Sequence, residues 1–415
     1  MKIKKYYNNK LFYFVCSKFP NYVDWEILSF KKLPFKFIKN FKNNININTY
    51  LKYNDIDEST LDNILKLYSK NDIVHILDDL TYYKKFSETF IETYYNYFKF
   101  ESVIYGTQLV SEEFIEKHLI NLDNKSTWNN ISSCQILSEK FIEKYQDKVD
   151  WYNITSCQIL SEEFIEKYLH KLSWIGVQIG QHLSNEFLEK HYDKLDLKKI
   201  IEKQKLYPSF LVKHFEDICK NDLLADVVKF QKLDDDFIRK YIIIRKCIIN
   251  SNEKYVISRL IKYQKLSPNL INDYRDLFKH EYKYEFYNFN KINDLYVFGD
   301  NWLYKDTKFK KQQIIDTGLY ECYDDYFIAY KAIRQDRYSY FNFQYKYEPG
   351  KIYEEKCNCT NIGNSFGLNV GTYKYAKNYG GNKSIIIKCK IRYEDVGRLV
   401  HNNKKVRCFK IEILT

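Results

Sequence analysis

Two cysteines near the carboxyl end of the sequence have the type and spacing of metal ligands. Cys357 and Cys359 are separated by one residue, and Cys322, Cys389 or Cys408 would have to complete a site. The chain has no Cys-x-x-Cys pair, and no histidine lies within fifteen residues of Cys357 or Cys359. Zinc sites usually combine such pairs with further Cys or His ligands. The sequence therefore favours free thiols, and we expect neither a metal nor another cofactor.

A histidine and an aspartate in the same region are the candidates for acid–base chemistry. His401 lies in a predicted loop, and Asp395 follows a basic strand, where it would lie near Arg407 if the neighbouring strands pair. A structural ion pair or a strand-end turn explains Asp395 and Arg407 without catalysis. The glycines of segment 363–371 lack the strand-then-helix context of a dinucleotide-binding loop. We therefore expect no enzyme; the alternative would need a closed pocket with perturbed ionisable groups near Asn369 and Asp395.

A basic strand face is the candidate for nucleic-acid binding. Lys388, Lys390 and Arg392 share one face of a predicted strand, and residues 374–415 hold eleven Lys or Arg against three acidic residues. A basic face with nearby tyrosines can hold single-stranded nucleic acid. The whole chain carries a net charge of +12, and only nine of its 66 basic residues are arginine, as expected of an AT-rich genome. A solvated strand face in a lysine-rich chain explains the pattern equally well.

Glycine and arginine divide the chain of 415 residues into two parts. Only three of the 12 glycines precede residue 299, and all nine arginines follow residue 238. Glycine serves turns and weakens helices, so the first part is predicted to be helical and the last part rich in strands and turns. The sequence thus predicts a mainly α protein with a lead-in over 1–24, a helical repeat solenoid over 25–278, a linker over 279–300 and an α+β domain over 301–415.

The first part consists of repeats. Three copies of 23 residues, QILSEKFIEKYQDKVDWYNITSC, QILSEEFIEKYLHKLSWIGVQIG and QHLSNEFLEKHYDKLDLKKIIEK, begin at Gln135, Gln158 and Gln181. A shared aromatic residue or leucine marks about ten units, at Phe37, Leu61, Phe90, Phe114, Phe141, Phe164, Phe187, Phe210, Phe237 and Leu270. Short units of this kind bury their apolar faces only by stacking, which predicts an α-solenoid of about ten two-helix repeats. Solenoids offer long surfaces that usually bind macromolecules.

Each repeat carries helix-start signals. Ser161 is a predicted N-cap, because its hydroxyl can accept from the free amides of the first turn. Pro208 and Pro268 come one residue after the matching position, where a missing N–H costs nothing. Three tryptophans recur at a spacing of 23 residues and are predicted to stack as a buried ladder: Trp128, Trp151 and Trp174.

The last part shows the two-residue alternation of strands. Alternating apolar positions over 326–330, 341–347 and 385–392 predict three strands, and 406–414 predicts a closing strand. Proline and glycine within 348–351 predict a type II turn. The domain is therefore predicted to be strand-rich α+β.

The repeats resemble the QKLSEEFIEKYxDKVDWxxIS-type repeats that are abundant in proteins of mimivirus-like giant viruses. The resemblance covers roughly residues 25–278 and is specific in the central units. It implies a viral origin more than an activity. It also implies an intracellular location, in the host cytoplasm, a viral factory or the virion, and a viral or host protein as partner.

A second resemblance covers about 50 residues of the C-terminal domain. The runs FGLNVGTYKYAKNYG, KSIIIKCKIRYEDVG and KKVRCFKIEIL begin at Phe366, Lys383 and Lys404. They are similar to the C-terminal domain of phage rapid-lysis rIIB-like proteins. Asn369 stands where that pattern has His, so any chemical role of the histidine is missing here. The resemblance supplies no biochemical function.

Together these features predict a non-enzymatic adaptor whose solenoid binds a viral or host protein. Nucleic-acid binding through the basic C-terminal strands, and an enzyme of unknown reaction in the C-terminal domain, stay open as alternatives. No run of 18 apolar residues predicts a membrane span, and the short N-terminal apolar stretch over 11–16 lacks a cleavage site for secretion. The candidate binding residues are Gly367, Asn369, Lys388, Lys390, Arg392, Asp395, Lys405 and Arg407.

Overall fold

The chain divides into two compact units. The computed structural model describes residues 10–98, 103, 108–118, 124–244, 253–274, 277, 296–298 and 306–415. The units are Met1–Asp150 and Trp151–Thr415. The division falls inside the predicted repeat region, whereas the predicted linker over 279–300 lies mostly outside the described residues. The second unit therefore contains repeats together with the C-terminal domain.

Short helices build the repeats of both units, which confirms the predicted helical first part. In the first unit they are α1 Lys10–Lys18, α2 Trp25–Ser29, α3 Phe35–Phe41, α4 Ile47–Tyr53, α5 Glu58–Leu65, α6 Lys70–Thr81, α7 Glu88–Thr93, α8 Glu112–His118, α9 Lys125–Cys134 and α10 Glu139–Lys144. In the second unit they are α11 Trp151–Cys157, α12 Glu162–Lys167, α13 Trp174–Gly180, α14 Asn185–Lys190, α15 Leu197–Lys203, α16 Pro208–Lys213, α17 Phe215–Lys220, α18 Leu224–Phe230, α19 Asp235–Phe237, α20 Glu253–Tyr263 and α21 Pro268–Asp273. A π-helical turn, Ile238–Ile244, continues α19.

The helix-start signals act as predicted. The Ser161 hydroxyl accepts from the amide of Phe164, and Pro208 and Pro268 occupy the first turns of their helices. The glutamate after the cap has a second function that the pattern did not predict. The carboxylate of Glu162 accepts the hydroxyl of Ser184, the cap of the next repeat, at 2.9 Å. Capping thus also joins one repeat to the next.

Buried glutamines join the repeats from within. In Gln204, Nε2 donates to the carbonyls of Gln181 and Gln178, both at 2.8 Å, and Oε1 accepts from the amide of Leu183 at 3.1 Å. The same bonds to the carbonyl of the preceding glutamine, at 2.7–2.9 Å, recur along the second unit at Gln181, Gln204, Gln231 and Gln264. We call this series the glutamine ladder. It explains why the repeats begin with glutamine, because no apolar residue could satisfy these buried main-chain groups.

The tryptophan series is only partly buried, which corrects the predicted ladder. Trp128 is 2% exposed, but Trp151 and Trp174 are half-buried. Each ring lies against a residue of the following helix: the centroids of Trp151 and Tyr168, and those of Trp174 and His191, are 5.2 Å apart. The recurring tryptophan therefore packs one helix against the next.

An antiparallel sheet forms the core of the C-terminal domain, which confirms the predicted α+β fold. The strands are β1 Tyr296–Phe298, β2 Glu321–Cys322, β3 Tyr326–Ile333, β4 Ile352–Glu354, β5 Cys357–Asn358, β6 Leu368–Gly371, β7 Ile385–Arg392, β8 Val396–Val400, β9 Lys405–Cys408 and β10 Lys410–Ile413. The order in the sheet is β4-β10-β7-β3-β6-β9-β8, with β2 beside β3. A separate parallel pair joins β1 to β5. Two helices accompany the sheet, α22 Thr307–Asp316 and α23 Tyr373–Gly380.

Two predicted strands differ from the structure. The predicted closing strand 406–414 is two strands, β9 and β10. Residues 341–347 form no strand, and only an isolated bridge joins Tyr338 to Lys346 nearby. The buried ring of Phe343 lies 5.6 Å from the ring of His182, in the repeats. The alternation of aromatic residues thus reflects packing on a neighbouring surface rather than pairing in a sheet. The predicted type II turn is present, with Gly350 at φ +74°.

The C-terminal domain is held on the carboxyl ends of the repeat helices. Main-chain carbonyls there lack intrahelical partners and carry the negative end of the helix dipole. Lys383 Nζ donates to the carbonyl of Cys157 at 3.3 Å, Arg334 Nη1 to Gly180 at 2.7 Å, the Phe343 amide to Lys203 at 2.8 Å, and Lys356 Nζ to Ile261 at 2.7 Å. One domain thus contacts the ends of four different repeat helices.

Candidate functional site

The sheet brings half of the predicted site residues together. β6 pairs with β9, which places Asn369 opposite Arg407 and Gly371 opposite Lys405. Gly367 directly precedes β6. The remaining four candidates lie elsewhere, on β7 or in the turn that follows it. The set is therefore not one site.

Arg407 has a structural position. It is fully buried, and its guanidinium donates to main-chain carbonyls at the end of β5 and in the following loop, including those of Asn358 and Ile362. Asp395 is not among these partners, so the predicted pairing of Asp395 with Arg407 is wrong. Gly367 has φ +124°, and a Cβ there would lie 2.8 Å from Cγ of Arg407. The glycine is thus required by the buried arginine.

The basic strand face is balanced by carboxylates. Lys388 lies 3.8 Å from Glu321, Lys390 lies 3.2 Å from Glu412, and Arg392 lies 3.7 Å from Glu394. The strand alternates as predicted, with apolar side chains turned inward. Because each cation has an acidic neighbour, this face offers little unbalanced charge to a phosphate backbone.

The cysteine pair lies in a core. Cys357 and Cys359 are buried against Phe409, and burial raises the pKa of the Cys357 thiol well above its usual value. Metal ligation needs the thiolate. No group of three metal-ligating side chains occurs among the described residues.

A cavity of about 940 Å³ lies between the C-terminal domain and the repeats of the same unit. Its walls are β6, the middle of β3, the loop 339–347, and the repeat segments 229–233 and 263–265. Of the predicted site residues, Gly367, Asn369 and Lys405 line it. The enzymatic alternative needs a closed pocket near both Asn369 and Asp395, whereas this cavity is partly open and includes Asn369 but not Asp395.

Ionisable groups in this cavity have shifted pKa values. Burial lowers the pKa of Lys331, whose Nζ donates to the carbonyl of Asn369 at 3.1 Å. Burial raises the pKa of Glu355, against the opposing effect of the charges on Lys232 and Lys331. For Lys405, burial and then the charges of Arg407 and Lys331 lower the pKa to about 8. Burial therefore disfavours the charged forms of these groups unless an opposite charge accompanies them.

Sequence reasoning missed Lys331 and Glu355. One signal for Lys331 was visible, since it is the only charged residue in the strand sequence YFIAYKAI. Glu355 gave no signal, because an acidic residue beside a strand end is common on solvated surfaces. Its burial depends on the repeats that cover it, and no local pattern reports such a contact.

Comparison of the chain with protein-family models, curated protein sequences and solved structures gave no match. The resemblances to giant-virus repeats and to the rIIB-like domain therefore stay predictions. Among the described residues, no helix is both long enough and apolar enough to cross a membrane.

Proposed function

We propose that this protein is a non-enzymatic adaptor whose repeats bind another protein, a viral or host protein if the repeat resemblance holds. The observation that carries the proposal is that residues at one position of the repeat contact another protein segment. This helix-end position lies three residues before the apolar residue that opens the next repeat. In three repeats of the second unit, this position is occupied by Lys203, Phe230 and Tyr263. The apolar residues that follow three positions later are Leu206, Leu233 and Leu266.

In the second unit this position contacts the C-terminal domain. The ring of Phe230 lies 6.5 Å from Phe341, and the ring of Tyr263 lies 4.9 Å from Phe366. Lys203 Nζ donates to the carbonyl of Phe341 at 2.9 Å. The helix-end position is thus a protein-binding position within this chain.

In the early repeats of the first unit the same position carries exposed aromatic residues. Phe30, Tyr53 and Tyr83 precede Leu33, Ile56 and Phe86, and they are 44%, 59% and 56% exposed. We call these three residues the aromatic row. Within the unit, the rings of Phe30 and Tyr53 are 4.8 Å apart, and Lys52 Nζ lies 4.2 Å from the Tyr83 ring. Aromatic side chains are enriched in protein interfaces. The aromatic row therefore suits a partner segment that resembles the contacting segments of the C-terminal domain, with an aromatic side chain flanked by hydrogen-bond donors.

Affinity capture with substituted baits tests the proposal. The full chain, a triple variant Phe30→Ser, Tyr53→Ser, Tyr83→Ser, and a control Tyr152→Ser are used as baits in lysate of cells that express the protein, with and without nuclease. Tyr152 is 60% exposed but does not occupy the helix-end position. We expect a protein that the wild type and Tyr152→Ser retain, that the triple variant loses, and that nuclease leaves bound. Equal retention by all three baits, or loss on nuclease treatment, contradicts the proposal.

A further inference from the structure

We propose that the cavity between the C-terminal domain and the repeats binds a nucleoside phosphate. This inference is independent of the adaptor function, because it concerns other residues in the other unit. It depends on the charge of the cavity, on the positions of two lysines, on an unpaired acceptor and on the aromatic walls.

The cavity has an excess of positive charge. Six lysines and two glutamates line it, which gives four formal positive charges in excess. Of the two glutamates, Glu354 is paired with Lys410 at 2.6 Å and with Lys265 of the cavity at 3.8 Å. Cations held away from water are costly unless an opposite charge accompanies them. An anionic ligand would supply that charge.

Two of the lysines flank one strand. β6 lies between β3 and β9 in the sheet, so Lys331 of β3 and Lys405 of β9 approach it from opposite sides. Lys405 Nζ donates to the carbonyl of Gly363 at 3.2 Å, and Lys331 Nζ donates to that of Asn369. Over the described ranges, neither lysine has a carboxylate within 4.0 Å. Carbonyl partners orient the ammonium groups but carry no formal negative charge, as suits a phosphate site.

Asn369, which lines the same cavity, supplies an acceptor. Its Nδ2 donates to the carbonyl of Gly367 at 2.8 Å, but its buried Oδ1 has no partner within the described part of the chain. A buried acceptor without a hydrogen bond is unfavourable. A ligand should therefore bring a donor as well as a negative charge, which an amino group of a base or a ribose hydroxyl provides.

Aromatic side chains complete the walls. Tyr340, Phe341, Tyr345, Phe366, Tyr375 and Tyr379 line the cavity. Rings of this kind stack on flat ligand rings, and base stacking is tolerant of base identity. The volume of about 940 Å³ is large enough for a ligand of drug size. Charge, donor requirement and rings together favour a nucleoside phosphate over inorganic phosphate or an uncharged nucleoside.

Calorimetric titration of the full chain tests the proposal. The probes are the four common ribonucleoside monophosphates and triphosphates, the matching nucleosides, and inorganic phosphate. The variants are Lys331→Met and Lys405→Met, with Lys377→Met as control, because Lys377 is exposed on α23 and does not line the cavity. A thermal scan of each variant establishes that it is folded.

We expect at least one nucleotide to bind more tightly than its nucleoside and than inorganic phosphate. Each cavity variant should weaken that binding by about tenfold or more, and Lys377→Met should leave it unchanged. The proposal is overturned if no nucleotide binds, if the nucleoside or inorganic phosphate binds as tightly, or if the two cavity variants bind like the wild type. If one cavity variant does not fold, the other decides.

Discussion

Single buried polar side chains determine much of this structure at the scale of the residue. Each glutamine of the ladder satisfies main-chain groups of two neighbouring segments, and Arg407 satisfies the carbonyls of a whole loop. Such residues cannot be exchanged for apolar residues of similar size, because the groups that they satisfy remain buried and lose their partners.

Gln204→Leu should destabilise the second unit by about 3 kcal/mol, because one amide and two carbonyls lose their partners. Lys205→Leu is the matched control, since its side chain is the exposed neighbour of Gln204. Urea unfolding of the full chain measures both. A change below about 0.5 kcal/mol in Gln204→Leu would mean that water replaces the amide, and that the ladder contributes little.

Gly367→Ala should destabilise the protein more than Gly350→Ala. Both glycines have positive φ, so each substitution strains the backbone by about 1–2 kcal/mol. Only at Gly367 does the new Cβ also meet side chains, at 2.8 Å from Arg407 and 3.0 Å from Cys357, whereas nothing lies within 4 Å at Gly350. Thermal unfolding compares the two variants, and equal losses would show that Arg407 moves aside without cost.

Asp395 should make stability depend on pH. Burial, then the charge of Glu394, raises the pKa of Asp395 to about 6 in the folded protein, above about 3.9 in the unfolded chain. The folded state therefore binds more protons between these values, and this group's contribution to stability falls as pH rises from about 4 to about 6. Asp395→Asn removes the effect, so its Tm relative to wild type should be higher at pH 7 than at pH 4. A difference that does not change with pH would contradict the shifted pKa.

At the scale of the element, the sequence predicts helix starts well and contacts between distant segments poorly. Ser161 and Pro208 fix helix starts through their own chemistry, so the sequence predicts them directly. The alternation over 341–347 predicted a strand, but alternate side chains also turn inward when a loop packs on another surface. The cavity was invisible for the same reason: Lys331, Glu355 and Asn369 come from separate segments that only the folded sheet and the covering repeats bring together.

The loop 334–344 should keep its hydrogen bonds only while it lies on the repeat helices. In the double variant Arg334→Met, Gln344→Leu, the bonds to the carbonyls of Gly180 and Gln204 are lost. We expect faster hydrogen exchange of the Phe343 amide, which donates to the carbonyl of Lys203. Lys311→Met is the control, because Lys311 donates to the carbonyl of Asp324 within the C-terminal domain. Unchanged exchange at Phe343 would mean that its own bond and ring packing are sufficient.

At the scale of the whole molecule, stability should follow the two compact units rather than the sequence boundary between repeats and C-terminal domain. Phe327 is fully buried in the core of the sheet, so Phe327→Ala should cost about 3–5 kcal/mol. Because that core and repeats 151–274 belong to one unit, the loss should also raise hydrogen exchange at the ladder amides of Leu183 and Leu206. The equivalent amide in the first unit, that of Val110, donates to Oε1 of Gln135 and should keep its protection. Faster exchange at all three amides would show that both units unfold together, and faster exchange at none would show that the repeats are stable without the domain that covers them.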